Sequence, residues 1–328
     1  MKNSAKYILT CILSLSLFFV TFNSCETLLI AILNGVVTTL GGDPIAGADV
    51  ILNSNLGDSP LTVKTTKTAS DGSYKFEDVE AGTYEIIVSK GSFAYTVRNV
   101  VVGDEGSVTV ETARLIPGKP LGYYVGSDSI RADNIQGIVR SLGYTEQNGQ
   151  LDSLIQSDFS DPNKLDDYSI IFINSTSNLN NTSVGTALQS FLNGGGSLYA
   201  SDMAITCLSN ISGLDIGSVQ GCSGPDTVLS STITNSGLSN LLGKTTCQIN
   251  YNSYGWFSID SASAVALPNY LKSTYFAFCG NFYVRQTRSL TLSENYGMNS
   301  GKVIYNTFRN KQQTVDGISI LKYLVLEL

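Results

Sequence analysis

The sequence predicts two units: a small antiparallel β-sandwich, then a doubly wound α/β domain. Three observations carry this expectation. As far as Ala113, apolar and polar residues alternate with period two between turns rich in Gly, Pro and Asp. From Leu121 the pattern changes to helical spacing alternating with apolar runs such as Tyr168 to Ile173. Behind that run and a helical pattern at Val184 to Leu192 comes Gly194 to Asp202, read GGGSLYASD. Strand, helix, glycine turn, strand and a sharp small-residue turn is how an α/β domain presents side chains at a strand end. Here the presented residues are Ser201 and Asp202.

The first residues supply an address. Lys2 and Lys6 form a positive start, Ile8 to Phe22 is apolar but short of a comfortable bilayer span, and small polar residues follow. This is a secretory signal. Phe22-Asn23-Ser24-Cys25 resembles a bacterial lipobox. The resemblance implies that residues 1–24 are removed and that Cys25 is lipidated. The implied partner is a membrane, reached through the anchor. The implied location is the cell envelope, at the outer membrane. Beyond residue 24 there are 18 basic and 27 acidic residues, a net charge of −9. An acidic chain without a basic run argues against nucleic acid as a partner, and against electrostatic adhesion of the whole chain to anionic lipid.

Beyond Cys25 and Cys11, four cysteines remain: Cys207, Cys222, Cys247 and Cys279. In an oxidising compartment they suggest two disulfides, with three possible connectivities. The chain has no histidine and no CxxC pair, so no metal site or cofactor is expected.

Within residues 25–116, Leu33 to Leu40, Ala48 to Leu52, Tyr84 to Val88, Phe93 to Val102 and Ser107 to Ala113 read as strands. Tyr74 and Phe76 share one face, Ser73 and Lys75 the other. Gly41-Gly42-Asp43-Pro44, Ser70-Asp71-Gly72 and Ala81-Gly82 are turns. About seven strands suit a small sandwich. Gly35, Pro44, Gly47, Ala48, Val50, Asp71, Gly72, Tyr74, Phe76, Gly82 and Tyr84 stand in the pattern of the carboxypeptidase regulatory-like family, which this stretch resembles. The resemblance implies a transthyretin-like, Ig-like sandwich without catalysis. Residues 117–120, with two prolines flanking Gly118 and Lys119, are a short stiff linker.

Residues 121–328 begin with a strand at Leu121 to Val125. A helix follows, with Ala132, Ile135, Ile138, Val139 and Leu142 on one face. Ser183 is a candidate cap for the Val184 helix, and Ser197 to Ala200 is a buried strand. Gly301 to Phe308 is a strand, and Ile318, Leu321, Leu324 and Val325 mark the last helix. Residues 208–295 read as a β-rich insertion held by the cysteines. The order from LGYYVG through YSIIFIN, LNGGGSLYASD and GKVIYNTFRN to ILKYLVLEL resembles class I glutamine-amidotransferase-like domains, nearest the trehalose-utilisation-type branch. That resemblance implies a flavodoxin-like sheet with a cysteine at the sharp turn and a late histidine. This chain carries Ser201-Asp202-Met203 at the turn and Phe308-Arg309-Asn310 at the late position.

Hydrolysis needs a nucleophile, a base in reach and oxyanion donors. Ser201 and Asp202 lack a histidine, and adjacent strand residues face apart, so they are expected to satisfy backbone groups. Asp158, Asp161, Asp166 and Asp167 read as turn and cap residues. Tyr251, Tyr254, Trp256, Phe257, Tyr275 and Phe278 suit either an aromatic binding platform, with Tyr254, Trp256 and Phe257 its centre, or the core of the insertion. Asp-Ser/Thr-apolar triplets, as at Asp152, resemble acceptors of exported Bacteroidetes-type glycoproteins. The expected function is a non-catalytic binding or scaffold lipoprotein for a glycan, cell-wall or protein partner. The alternative is an atypical hydrolase or sugar-processing enzyme built around Ser201 and Asp202.

Overall fold

The computed structural model describes residues 30–54, 61–103, 106–126, 133–220, 222–223, 226–252, 257–279, 281–297 and 301–328. The leader, Cys25, Ala132, Tyr254 and Trp256 lie outside the described residues. Two sheets form the first unit. One joins Ser73–Glu80, Ile30–Thr38 and Gly106–Thr109, with Ala113–Arg114 also on Ile30–Thr38. The other runs Leu61–Lys67, Asp49–Ser54, Gly82–Lys90, Phe93–Val102, Ile116–Pro117. Period-two alternation aims Leu33, Val37, Val50, Leu52, Phe76, Ile86 and Val88 into one core. Leu61–Lys67 escapes a hydrophobic reading because it is an edge strand, and its lysines suit an edge. Ile116–Pro117 pairs with Phe93–Val102, so the sandwich extends into the first residue of the expected linker.

The second unit is built on one ten-stranded sheet. Its parallel part runs Leu151–Leu154, Leu121–Tyr124, Ile170–Ile173, Ser197–Ser201, Gly301–Asn306. The strand that comes first in sequence lies between the second and the third, the flavodoxin-like order. Apolar residues on both faces of these strands require cover on both faces, and they have it. Leu121, Tyr123, Ile170, Phe172, Tyr199 and Ile304 join the core that contains the Ile135–Ser141 and Val315–Glu327 helices. Tyr124, Ile171, Ile173, Leu198, Ala200, Val303 and Tyr305 join the core under the Thr182–Asn193 helix. Asn181, not Ser183, caps that helix, accepting from Val184 N at 3.0 Å.

Residues 208–295 are rich in strands, and their longer strands join the main sheet. Phe282–Tyr296 pairs antiparallel with Gly301–Asn306, and Asn269–Cys279, Thr227–Ile233 and Thr246–Tyr251 continue the same sheet. Cysteines do not hold this region together in the expected way: Cys207 and Cys247 are buried free thiols. Burial pushes their pKa up to about 12 and about 11, the mark of inert core cysteines. Among the described residues no helix is long and apolar enough to cross a membrane.

The two units share a core. Phe93 and Tyr144 meet at 5.1 Å between ring centroids, and the Tyr144 hydroxyl donates to Leu115 O at 2.7 Å. Lys90 pairs with Glu327 and Lys322 with Asp43 across the same seam. Gly41 N donates to Leu142 O at 3.0 Å. Gly143 makes this approach possible: its φ is +93°, and a Cβ there would lie 2.5 Å from Gly41 N. Gly143→Ala is therefore expected to cost about 1–3 kcal/mol. In urea unfolding followed by tyrosine fluorescence, it should split one cooperative transition into two. An unchanged single transition would show that the seam does not couple the units.

Candidate functional site

The C-terminal ends of parallel strands are where open α/β sheets place ligands. Here four connections converge on that end, after Leu121–Tyr124, Ile170–Ile173, Ser197–Ser201 and Gly301–Asn306. Each contributes buried polar groups: Asp133, Asn174 to Thr176, Ser201 with Asp202, and Thr307 with Asn310.

Asp133 is the hub. One carboxylate oxygen accepts from the backbone N–H groups of Asn134 and Asn310. The other accepts from the Ser201 hydroxyl and from Asn310 Nδ2 at 3.0 Å. Burial pushes its pKa up from 3.8 to about 6; these hydrogen bonds pull it down, and the nearby Asp202 charge adds a small upward push. Asn310 also accepts from Tyr199 Oη at 2.5 Å. Asn306 Nδ2 donates to the same hydroxyl at 3.3 Å, and Thr291 donates to Asn306 Oδ1 at 2.7 Å. Asn174 accepts from Ile135 N and donates to Tyr124 O, tying a helix start to two strand ends.

Asp202 stands at the turn itself. Its φ is +46°, left-handed backbone that a non-glycine residue seldom adopts. Strand, left-handed residue, then a helical turn at Asp202–Ala204 and Ile205–Leu208 is the geometry of a nucleophile elbow. The Asp202 carboxylate accepts from Ser175 Oγ at 3.0 Å, and its carbonyl accepts from Tyr305 Oη at 3.0 Å. Ser201 and Asp202 are both 0% exposed. The expectation that they serve backbone groups is corrected in its partners: side chains from other loops hold them, because the strand end is buried under those loops.

The structure separates the aromatic candidates. Tyr251 and Tyr275 are buried and stacked at 5.1 Å, so they are core. Phe257 is half-buried against the core beneath the Thr182–Asn193 helix. Asp161 caps a short helix through Asn163 N at 3.0 Å, and Asp158 accepts from Ile155 N at 2.8 Å. Sequence reasoning missed Asp133, whose only local signal is an acidic residue just before Asn134 at the start of a helix. It also missed Phe276, Phe282 and Tyr283, which are exposed.

Residues 32–115 match the carboxypeptidase regulatory-like domain family. No curated protein matches the chain. A ThuA-like protein of Bacteroides uniformis aligns at TM-score 0.48 and 14% identity, covering 64% of this chain and 90% of its own. A glutamine amidotransferase of Thermotoga maritima aligns at TM-score 0.37 and 10% identity, over 58% and 76% respectively. A Bacteroides uniformis protein named for carbohydrate binding aligns at TM-score 0.21 and 22% identity, over 26% and 41%. The strand order and the two-sided core described above give the fold: a β-sandwich, over residues that match the carboxypeptidase regulatory-like domain, then an α/β domain with a flavodoxin-like sheet.

The folded pKa of Asp133 lies above its unfolded value, so the folded form holds the extra proton between about pH 4 and 6, and this group's contribution to stability falls as pH rises through that window. In Asp202→Asn a neighbouring charge disappears, and the Asp133 carboxyl should titrate lower by carboxyl carbon NMR. An unmoved titration would show the two groups are uncoupled. Asp202→Ala should cost about 1–3 kcal/mol in chemical denaturation, and Asp202→Asn much less, since Asn adopts left-handed backbone readily. Equal losses would remove the elbow strain from the account.

Proposed function

We propose that the protein is an exported, lipid-anchored binding or scaffold protein whose α/β domain is catalytically silent. One observation carries the reading. The side chains at the elbow, where an amidotransferase-like enzyme would hold its nucleophile, are fully enclosed and committed to Asp133 and Ser175. A chain without histidine offers no imidazole base to release them. The match of residues 32–115 to a regulatory-like domain is compatible with a non-catalytic role. The signal pattern ending at Cys25 supports lipid anchoring in the envelope, with a glycan, a cell-wall fragment or an envelope protein as partner. Export also accords with one disulfide. The strand register sets Cys222 opposite Cys279, and opposed antiparallel residues are close enough at Cα for a bridge. Non-reducing peptide mapping of the exported protein should find that pair linked; alkylation of both would refute it.

A hydrolase is the second reading, favoured by the left-handed Asp202 near a carboxyl raised to about 6. Thermal-shift screening of the chain from Glu26 against glycans and cell-wall fragments separates the two. A ligand at roughly hundredfold excess over its Kd adds about 2.7 kcal/mol. The binding reading expects a shift that survives Asp202→Asn with no product formed. A shift lost in that variant, with product accumulating in the parent, would establish the hydrolase.

A further inference from the structure

The long hairpin Asn269–Cys279 and Phe282–Tyr296 extends beyond its pairing with Thr227–Ile233 and Gly301–Asn306, and only the short strand Cys222–Ser223 lines its first strand near the turn, opposite Cys279 and Phe278. Only Thr291 to Tyr296 of its second strand pair with Gly301–Asn306. Toward the turn, Phe276 is 61% exposed, Phe282 74% and Tyr283 75%, with Phe278 and Val284 also exposed. Register places Phe278 opposite Tyr283 and Phe276 opposite Arg285. Phe278 and Tyr283 are in tilted ring contact, 5.1 Å between centroids. Lys272, Thr274 and Thr287 extend this same outward face, and Phe282 and Val284 lie on the opposite one. The tip is therefore apolar on both faces. Its charge is also unlike the rest of the chain: residues 261–293 hold Lys272, Arg285, Arg288 and no acid, in a protein of net charge −7.

We infer that this hairpin tip is a docking element for an anionic lipid surface. Exposed rings spread over both faces of a hairpin do not enclose a small ligand, which needs a concavity. A flat polysaccharide on one face would leave Phe282 and Val284 in water. A second copy meeting this strand edge antiparallel would bring Arg285 and Arg288 toward their own equivalents. A lipid interface entered end-on covers both faces, takes phenyl and phenol rings at headgroup depth and matches the basic residues to anionic headgroups. The inference stands apart from the proposed anchor at Cys25 and from the silence of the elbow.

The test uses the chain from Glu26, which keeps every described residue and lacks Cys25. Sedimentation with vesicles of equimolar phosphatidylglycerol and phosphatidylcholine should carry the protein down roughly tenfold better than phosphatidylcholine alone, and less as salt rises. Phe282→Ser with Tyr283→Ser should lower that partition by roughly tenfold at an unchanged melting temperature, since both residues are already in water. Arg285→Gln should weaken binding only at low salt. Equal sedimentation of parent and double variant would overturn the inference. So would a dimer in ultracentrifugation that the double variant abolishes, or retention on insoluble glycan without vesicle binding.

Discussion

The α/β domain depends on a carboxylate with four donors. Asp133 gathers the loops that follow three different strands, through its own neighbour Asn134, through Ser201 and through both amide groups of Asn310. A buried charge is tolerated only where such partners surround it. Once they do, the end of the sheet where related folds keep a ligand is closed by the chain itself. Ser201 donates inward and Asn310, at the late position where the resemblance expects histidine, donates to the same carboxylate. The elbow at Asp202 keeps its strained backbone but holds its side chain against Ser175. The turn after Ser197–Ser201 thus has the backbone shape of a nucleophile elbow, while its side chains are engaged with Asp133 and Ser175.

The second organising feature is the seam between the units. Phe93, Leu115, Tyr144, Leu324 and Val325 belong to one core that runs from the sandwich into the helices beneath the sheet. A spacer domain hinged on a proline linker would be free to swing. Here the sandwich instead packs on the α/β domain through this shared core and the Lys90–Glu327 and Lys322–Asp43 ion pairs. That arrangement suits presentation of a surface more than gating of a cleft.

Much of this was legible in the sequence where local pattern decides structure. Ile170 to Ile173 is apolar at every position because helices cover both faces, and such a run admits few other readings. Tyr74 and Phe76 alternate with Ser73 and Lys75 because only one face is buried. Thr227–Ile233 was not legible: its serines and threonines satisfy strand geometry without announcing it, and its partner strands lie far along the chain. The hub was invisible for the same reason, since Asp133 meets residues 68 and 177 positions away. Cysteine counting misjudged Cys207 and Cys247 because compartment chemistry says nothing about burial, and both side chains are core. Aromatic counting likewise grouped the buried Tyr251 and Tyr275 with the exposed Phe278, which only the pairing of their strands sorts.

The closure of the elbow is tested most directly by accessibility. Ser201→Cys changes one atom and places a reportable thiol at the enclosed position. The folded variant should resist iodoacetamide at residue 201, as mapped by peptide mass spectrometry, and label fully once unfolded in urea. Rapid labelling of that thiol in the native state, with the parent's fold retained by circular dichroism, would mean that the strand end is open to solutes and that a silent α/β domain is the wrong account.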